Sequence, residues 1–200
     1  MHDGFIKVGC ATPRIKTADP EYNAEQVIDM AGVMYSNGAK VIVFPELTLT
    51  GYTCNDLFLG NTLLEECRIQ LKRIADSTEQ MDSLIFVGLP MEYRGKLFNC
   101  AAVLHRGLVL AIVPKTFIPN YSEFYEARYF TPGFETPQVM NFYGCDIPFG
   151  THILFDNGES MDGLSIAAEI CEDAWVPCSP ATSHVMAGAT LIVNLSASDE

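Results

Sequence analysis

The sequence predicts an α/β fold in which a mixed β-sheet is covered by helices. Short apolar runs of strand length alternate with segments of helical periodicity, and the first five elements follow the order strand, helix, strand, helix, strand. A predicted hairpin comes next, and this combination is typical of a layered α/β fold with a mixed sheet. Apolar residues make up 48% of the 200-residue chain, so it can bury a substantial core.

The elements of the first half are well separated along the chain. Gly4 and Pro13 bound the first apolar run, and Pro20 stands where a helix begins, because proline is favoured in the first turn. Asn37-Gly38 closes that helix as a carboxyl-terminal cap. We expect helices over 20–37 and 63–75, a tight turn at 105–107, and strands over 5–11, 40–46, 83–89, 97–104 and 108–113.

The second half begins with a different kind of segment. Residues 114–150 are rich in proline, glycine and aromatic side chains, and their hydrophobic periodicity is weak. We expect an irregular segment here, and a long irregular segment within a compact domain is more often part of a site than a spacer. Further strands are predicted over 152–155, 162–170 and 190–195, with a short helix over 180–187.

Charge and cysteine content exclude several classes of protein. The 12 basic and 25 acidic residues give a net charge of −13, which repels nucleic acid and anionic lipid, so neither a nucleic acid nor a membrane is expected as a partner. No apolar run approaches the roughly 20 residues that span a bilayer. The seven cysteines are scattered without a CxxC pair, and the first residues do not resemble a secretory signal, so we expect a cytoplasmic protein.

Three ionisable side chains come directly after predicted strands, which is where α/β folds place their ligands. Glu46 follows Val-Ile-Val-Phe-Pro, Lys115 follows Leu-Ala-Ile-Val-Pro, and Cys171 follows Leu-Ser-Ile-Ala-Ala-Glu-Ile. Taken alone, each has an ordinary explanation as a solvated carboxylate, a surface lysine or a buried thiol. Their coincidence at the strand ends of one predicted sheet favours a common site.

The surroundings of Cys171 indicate what such a site would need. The segment Glu169-Ile-Cys-Glu-Asp173 places three acids around the thiol, and nearby negative charge raises the pKa of a cysteine. A protonated thiol is a poor nucleophile at neutral pH, so it needs a base to accept its proton and a cation to stabilise a developing oxyanion. Glu46 could be that base, and Lys115 could be that cation.

Two other arrangements use histidine. His184 could pair with Cys171 as in cysteine hydrolases, although no neighbouring Asp or Asn signature supports the pair. Cys171, Cys178 and His184 could also bind zinc. Three scattered ligands without a CxxC pair are weak support for a metal site, so no metal is expected.

Several motifs resemble those of the nitrilase superfamily of carbon-nitrogen hydrolases. They are Phe44-Pro-Glu-Leu47 with Thr50-Gly-Tyr52, Pro114-Lys115, Glu126-Ala-Arg-Tyr-Phe-Thr-Pro-Gly133 and Ile170-Cys-Glu-Asp173. A more detailed resemblance, to the amino-terminal glutaminase domains of glutamine-dependent NAD(+) synthetases, rests on segments 51–58, 97–103, 119–126 and 172–177. It covers essentially the whole chain in the right order. The resemblance implies a nitrilase-type α-β-β-α sandwich with mixed sheets.

The resemblance also implies a role for each reactive side chain. Cys171 is expected to be the nucleophile that attacks the side-chain amide of glutamine and forms a thioester. Glu46 is expected to be the general base and Lys115 to stabilise the tetrahedral intermediate. Glu126 matches the supporting second glutamate of the superfamily. Groups coupled in this way have no independent pKa values.

Substrate recognition is implied for a second set of residues. Tyr121 matches the family tyrosine that contacts glutamine, and Ser198 matches a serine beyond the last strand, with Ser196 as the alternative in register. The other expected pocket walls are Tyr52, Phe124, Glu172 and Trp175. Among them, Glu172 could pair with the α-amino group of the substrate. For the aromatic residues, core packing is an equally good explanation.

We interpret residues 1–200 as an incomplete nitrilase-like glutaminase domain. In the family, ammonia passes through a tunnel to a carboxy-terminal synthetase domain that uses ATP and magnesium to amidate deamido-NAD, and homo-oligomers are usual. We do not expect that domain or a cofactor within this chain, which has neither a GxGxxG nor a GxxxxGK[ST] motif. The family arginine that completes the glutamine pocket follows the residue matched by Ser198, so the domain is expected to be truncated at its carboxyl end.

Three functions remain open at this point. The first is hydrolysis of the glutamine side-chain amide through a cysteine thioester, which supplies ammonia for NAD synthesis. The second is a stand-alone amidase or carbamoyl hydrolase of the same superfamily that acts on another small amide. The third is a catalytically inactive domain for binding or oligomerisation, against which the intact Glu46, Lys115 and Cys171 argue.

Overall fold

The structure is a computed structural model that describes residues 5–156 and 163–198 of the chain. Its helices are α1 (Pro20–Ser36), α2 (Asn61–Ser77) and α3 (Pro180–Met186). Its strands are β1 (Val8–Cys10), β2 (Val41–Val43), β3 (Leu84–Tyr93), β4 (Lys96–His105), β5 (Leu108–Pro114), β6 (Gln138–Phe142), β7 (Cys145–Phe149), β8 (Phe155–Asp156), β9 (Ser165–Ile170) and β10 (Leu191–Leu195). Short 3₁₀ helices occupy Asn55–Leu59, Glu126–Arg128 and Cys171–Ala174.

Local sequence signals explain where α1 begins and ends. Asp19 precedes the helix, and its carboxylate accepts a hydrogen bond of 3.1 Å from the backbone N–H of Tyr22. Pro20 occupies the first turn, where its missing N–H has no partner to lose. At the other end, Asn37 caps the helix and Gly38 adopts a φ of 84°, which glycine reaches without strain. The predicted cap is confirmed.

The strands form two mixed sheets. Seven strands lie in the order β1-β2-β3-β4-β5-β7-β6, and three lie in the order β10-β9-β8. In the larger sheet β1, β2 and β3 are parallel, whereas β3, β4 and β5 are antiparallel. In the smaller sheet β10 is parallel to β9, and β8 is antiparallel to it. The predicted α/β fold with mixed sheets is confirmed.

Two apolar layers hold these elements together. The first lies between the seven-stranded sheet and the helices, where Val27 of α1 and Leu71 of α2 belong to one cluster with Ile42 of β2. The second lies between the two sheets and includes Phe86 of β3 and Ile166 of β9. Because side chains alternate along a strand, each central strand contributes to a layer on each face. With α3 packed on β9, the layers follow the order of an α-β-β-α sandwich.

The segment 114–150 is more regular than the sequence predicts. β6 and β7 form an antiparallel hairpin, and β7 pairs with β5, so the expectation of an irregular segment is wrong for residues 138–149. Met140 and Phe142 of β6 and Ile147 and Phe149 of β7 are buried at alternate positions. This period-two pattern is the signal of a strand with one covered face, but an apolar residue on the exposed face of β6 and a proline within β7 obscure it.

The placement of the three reactive residues also requires a correction. Glu46 and Lys115 follow strands of the seven-stranded sheet, but Cys171 follows β9 of the three-stranded sheet, so the expectation of one common sheet is wrong. Apolar runs show where strands occur and not which sheet they join.

The strands predicted over 152–155 and 162–170 correspond to β8 and β9, and residue 162 lies outside the described residues. No helix in the described ranges is long and apolar enough to cross a membrane.

Candidate active site

The two sheets bring their strand ends together at one edge of the sandwich. Lys115 and Cys171 are the first residues after β5 and β9, and Glu46 lies three residues beyond the end of β2. The turn that contains Glu46 packs directly on β3, because a Cβ atom at Gly88 would lie 2.3 Å from the carbonyl oxygen of Pro45. Glycine at this position therefore allows the Glu46 backbone to approach the sheet.

Lys115 is the centre of a buried charged cluster. Its ammonium donates to Oε1 of Glu46 over 2.7 Å and to Oε1 of Glu126 over 2.7 Å. The side chains of Lys115 and Glu46 have no exposed surface, and that of Glu126 is 4% exposed. The structure thus brings together the three charged residues that the sequence singles out. A buried ion pair stabilises a protein only when the remaining polar atoms of both partners are hydrogen-bonded as well.

Asn99 of β4 supplies one of those bonds and was not predicted as a site residue. Its Nδ2 donates to Oε1 of Glu46 over 2.6 Å and lies 3.2 Å from Oε2 of Glu126, so it bridges the two carboxylates. Asn99 is fully buried, and its Oδ1 has no hydrogen-bond partner among the described residues. A polar residue within an apolar strand was the available signal, since buried amides need partners.

Tyr52 completes the bonding of the second glutamate. Its hydroxyl donates to Oε1 of Glu126 over 2.8 Å. Burial raises the pKa of Tyr52, and the carboxylate of Glu126 raises it further, so the phenol remains protonated and donates. Tyr52 was predicted as a pocket wall, but its contact with Glu126 makes it part of the support for Lys115.

Burial and mutual attraction set the ionisation of the cluster. Burial raises the pKa of the Glu46 carboxyl, and this effect together with the nearby Glu126 outweighs the opposing attraction of Lys115. Burial lowers the pKa of Lys115, but attraction to the two carboxylates outweighs it, so the pKa is raised. A carboxylate with a raised pKa beside a lysine that stays charged is a stronger base than a solvated glutamate.

Cys171 has a strained backbone and a protonated thiol. Its φ is 45°, in the left-handed region, which costs a non-glycine residue on the order of 1–3 kcal/mol. Burial raises the pKa of the thiol, and the charge of Glu46 raises it further, whereas Ser196, Ser198 and Lys115 lower it. The outcome agrees with the sequence-based expectation that the thiol needs a base, but burial and Glu46 contribute more than the adjacent acids.

Residues beyond β10 connect the thiol to the charged cluster. The N–H of Ala197 donates to Oε2 of Glu46 over 3.3 Å, and Oγ of Ser198 lies 3.4 Å from Sγ of Cys171. The hydroxyl of Ser196 lies 2.5 Å from that of Ser198. Of the two serines considered, Ser198 has its hydroxyl next to the sulfur, and Ser196 lies beside it and also lowers the pKa of the thiol.

Asp173 fixes the position of the Lys115 segment and was not predicted. Its carboxylate accepts hydrogen bonds from the N–H groups of Phe117 over 2.7 Å, Ile170 over 3.0 Å and Thr116 over 3.1 Å. Burial raises the pKa of Asp173 to about 6, although these N–H donors oppose the rise. The side chain joins the segment after β5 to the end of β9, which are the strands that deliver Lys115 and Cys171.

The residues expected to recognise substrate lie at the outer rim. The hydroxyl of Tyr121 donates to Oε2 of Glu172 over 2.8 Å. The ring of Phe124 lies 5.7 Å from that of Tyr121 and 6.4 Å from that of Tyr52, so the three aromatic rings form a connected wall. Trp175 is 73% exposed and stands apart from the buried cluster.

The histidine arrangements are not supported. His184 belongs to α3, and its imidazole is buried. Its Nε2 lies 3.0 Å from the carbonyl oxygen of Thr151, so the ring does not pair with Cys171. Within residues 5–156 and 163–198, no group of three His, Cys, Asp or Glu side chains is arranged to hold a metal ion. The zinc alternative with Cys171, Cys178 and His184 therefore has no geometric basis in the described part of the chain.

Comparison with known proteins identifies the relatives of this chain. The family model for carbon-nitrogen hydrolases matches residues 7–199. The chain is 39% identical to the glutamine-dependent NAD(+) synthetase of Mycobacterium tuberculosis strain H37Rv over 195 residues. The aligned region covers 98% of this chain and 29% of that protein. The corresponding enzyme of Aquifex aeolicus is 37% identical over 194 residues, 97% of this chain and 30% of that protein. The chain thus spans less than a third of the length of these relatives.

Solved structures give a consistent result. A glutamine-dependent NAD(+) synthetase from Cytophaga hutchinsonii aligns with a TM-score of 0.84 at 30% identity, over 96% of this chain and 30% of that one. A variant of an amidase of the nitrilase superfamily from Nesterenkonia AN1 aligns with a TM-score of 0.72 at 20% identity, over 98% of this chain and 68% of that one. The second match shows similarity of fold.

Proposed function

This chain belongs to the carbon-nitrogen hydrolase family, and on that premise we propose that it hydrolyses the side-chain amide of glutamine and supplies ammonia for the amidation of deamido-NAD to NAD. The observation that supports the reaction is the buried Glu46–Lys115–Glu126 cluster beside the Cys171 thiol. The similarity to glutamine-dependent NAD(+) synthetases supports the substrate and the use of the ammonia.

The proposed mechanism begins with proton transfer. Glu46 accepts the thiol proton of Cys171, and the thiolate attacks the amide carbon of glutamine to form a tetrahedral intermediate. The ammonium of Lys115 stabilises the oxygen that gains negative charge. The C–N bond then breaks, Glu46 returns the proton to the nitrogen, and ammonia leaves a glutamyl thioester on Cys171.

Hydrolysis of the thioester repeats these roles with water. Glu46 removes a proton from a water molecule, the resulting hydroxide attacks the thioester carbon, and the C–S bond breaks. Glutamate is released, and the sulfur recovers its proton. Throughout the cycle, Glu126 keeps Lys115 paired when Glu46 is protonated, and Tyr52 and Asn99 keep Glu126 in position.

Substrate recognition belongs to the rim. We propose that Tyr121 and Ser198 contact glutamine and that Glu172 pairs with its α-amino group. Tyr52, Phe124 and Trp175 are proposed as pocket walls, of which the first two form ring contacts in the structure. The arrangement suits a small polar amide, because charged and hydroxyl groups surround the thiol at this end.

The partners of the reaction follow from the relatives. We propose that a carboxy-terminal synthetase domain receives the ammonia through a tunnel and uses ATP and Mg²⁺. The proposal is supported by the relatives, because they are glutamine-dependent NAD(+) synthetases. A homo-oligomer and a cytoplasmic location are part of the same proposal. We assign the binding of ATP and Mg²⁺ to that domain and not to the residues of this chain.

Replacement of the nucleophile tests the proposed function. In the full-length protein, Cys171→Ala should abolish glutamine hydrolysis and prevent covalent labelling by a glutamine-mimicking electrophile, while synthesis of NAD with added ammonia continues. Cys178→Ala is the matched control, because Cys178 is an exposed free cysteine a few residues away, and it should retain both activities. Unchanged glutamine hydrolysis in Cys171→Ala would contradict the proposal, and hydrolysis of another small amide in place of glutamine would favour a stand-alone amidase.

A further inference from the structure

Cys171 has a backbone conformation that its neighbours must maintain. Its φ of 45° lies in the left-handed region, which residues other than glycine seldom occupy. The conformation turns the chain from β9 into the short helix Cys171–Ala174. A strained residue of this kind persists only where the surrounding structure fixes it, so the groups bound to the Cys171 peptide determine where the thiol lies.

Asn194 is the side chain that binds this peptide. Its Oδ1 accepts a hydrogen bond of 3.2 Å from the N–H of Cys171, and its Nδ2 lies 3.5 Å from the carbonyl oxygen of Cys171. Asn194 belongs to β10 and lies directly opposite Glu169 of β9. Its Nδ2 also donates to Oε1 of Glu169 over 3.2 Å, and Oε2 of Glu169 accepts from the N–H of Ala181 in α3 over 3.1 Å.

We propose that Asn194 and Glu169 are a pair of positioning residues that hold Cys171 in its left-handed conformation. The proposal rests on the proposed function, because it takes Cys171 as the nucleophile. Glu169 is 5% exposed, so its carboxylate depends on the protein for hydrogen bonds and fixes the orientation of the Asn194 amide. With Nδ2 directed at Glu169, Oδ1 faces the N–H of Cys171.

The chemistry of the pair explains the need for an amide at position 194. The side that faces Cys171 requires an acceptor, and the side that faces Glu169 requires a donor. Asn194→Asp keeps the acceptor but places a second carboxylate against Glu169. The double exchange Glu169→Gln with Asn194→Asp reverses the polarity of the bond between the two side chains and keeps the acceptors for the N–H groups of Cys171 and Ala181. It loses only the long contact of 3.5 Å from Nδ2 to the carbonyl oxygen of Cys171.

The test uses the full-length protein and two measurements, the kinetics of glutamine hydrolysis and the pH profile of Cys171 alkylation by iodoacetamide. We expect Asn194→Asp to lower kcat by about 100-fold while KM changes by less than about threefold, because a misplaced nucleophile impairs the chemical step. The double exchange should recover kcat to within about fivefold of the wild type, since the bond to the N–H of Cys171 and the bond between the two side chains are both present again.

The double exchange also makes a prediction about the thiol that a purely structural role does not make. It moves one negative charge from position 169 to position 194, next to the Cys171 peptide, so the alkylation profile should shift to higher pH. The other groups that act on the thiol are unchanged in these variants; they are Glu46, Lys115, Tyr52, Tyr121 and the hydroxyls of Ser196 and Ser198.

Asn141→Asp is the matched control. Asn141 of β6 lies opposite Asp146 of β7 and donates to its carboxylate over 2.9 Å. Its Oδ1 accepts from the N–H of Gly144 over 3.2 Å, so the arrangement repeats that of Asn194 on an exposed hairpin. Both measurements should keep their wild-type values in this variant.

Wild-type kcat and a wild-type alkylation profile in Asn194→Asp would overturn the proposal. An exchanged pair that stays inactive or does not fold would overturn it as well, and this variant decides the matter if Asn194→Asp alone does not fold. If the wild-type protein does not hydrolyse glutamine, the proposed function fails separately. The alkylation profiles then still show whether the pair positions the thiol.

Discussion

The inner and outer parts of the site differ in how firmly the fold holds them. The inner part consists of Glu46, Lys115, Glu126 and Asn99, which are at most 4% exposed and are bonded to one another. In the outer part, Tyr121 is 53% exposed and contacts Glu172 through one hydrogen bond. The inner part is preorganised for charge stabilisation, whereas the outer part can change at little cost to folding. Mutations in the two parts should therefore separate chemistry from recognition.

The largest expected effect comes from removing the cation at the centre of the inner part. Lys115→Met leaves two buried carboxylates without their partner, which should lower the free energy of unfolding by about 3–5 kcal/mol. Glutamine hydrolysis should fall by about 1000-fold because the oxyanion loses its stabilising charge. Urea unfolding and steady-state kinetics of the full-length protein measure the two losses.

A surface lysine provides the control for Lys115. Lys40 pairs with Asp82 over 2.6 Å, but both side chains are more than one third exposed. Lys40→Met should therefore lower the free energy of unfolding by less than about 1 kcal/mol and leave kcat unchanged. Equal destabilisation by the two substitutions would show that the inner cluster is not the buried network described here.

Glu46→Gln should slow hydrolysis and at the same time make the Cys171 thiol easier to ionise. Loss of the proposed base should lower the rate of glutamine hydrolysis by about 100- to 1000-fold. The charge of Glu46 raises the pKa of the Cys171 thiol, so its removal should lower that pKa and shift the alkylation profile of Cys171 to lower pH. An alkylation profile that stays in place would indicate that Glu46 does not act on the thiol.

A smaller effect is expected from Asn99. Asn99→Leu removes the bridge between Glu46 and Glu126 but leaves Lys115 bonded to both. A slight displacement of Glu46, the proposed base, should lower kcat by about 10- to 100-fold. The substitution also removes Oδ1, which has no hydrogen-bond partner within residues 5–156 and 163–198, so the free energy of unfolding should fall less than in Lys115→Met. Wild-type kcat in Asn99→Leu would show that the bridge has no part in catalysis.

The smallest effect is expected at the rim. Tyr121→Phe removes the hydrogen bond to Glu172 and one polar group from the proposed glutamine pocket. We expect KM for glutamine to rise by about two- to tenfold with kcat and the melting temperature unchanged. A large loss of kcat in this variant would place Tyr121 in the inner part of the site and erase the distinction between the two.

The sequence is more informative about strands than about the contacts between them. Glu46, Lys115 and Cys171 could be located because each follows an apolar run that ends abruptly. Asn99 could not be assigned, because its partner Glu46 lies 53 positions away and no local pattern records that contact. The same reason explains why Cys171 was placed in the wrong sheet. The substrate contacts of Tyr121 and Ser198, the cofactors of the synthetase and the oligomeric state stay predictions.

The hydrogen bond between Ala197 and Glu46 joins positions 151 residues apart, and Ser198 beside it reaches Cys171. During synthesis, the ribosome completes Glu46, Lys115 and Cys171 before it completes these two residues. Contacts of such long sequence separation must first overcome the entropy of closing a long loop, so they form slowly. The contacts of Ala197 with Glu46 and of Ser198 with Cys171 can therefore form only after the segment that follows β10 has left the ribosome, whereas the parts that they join are made much earlier.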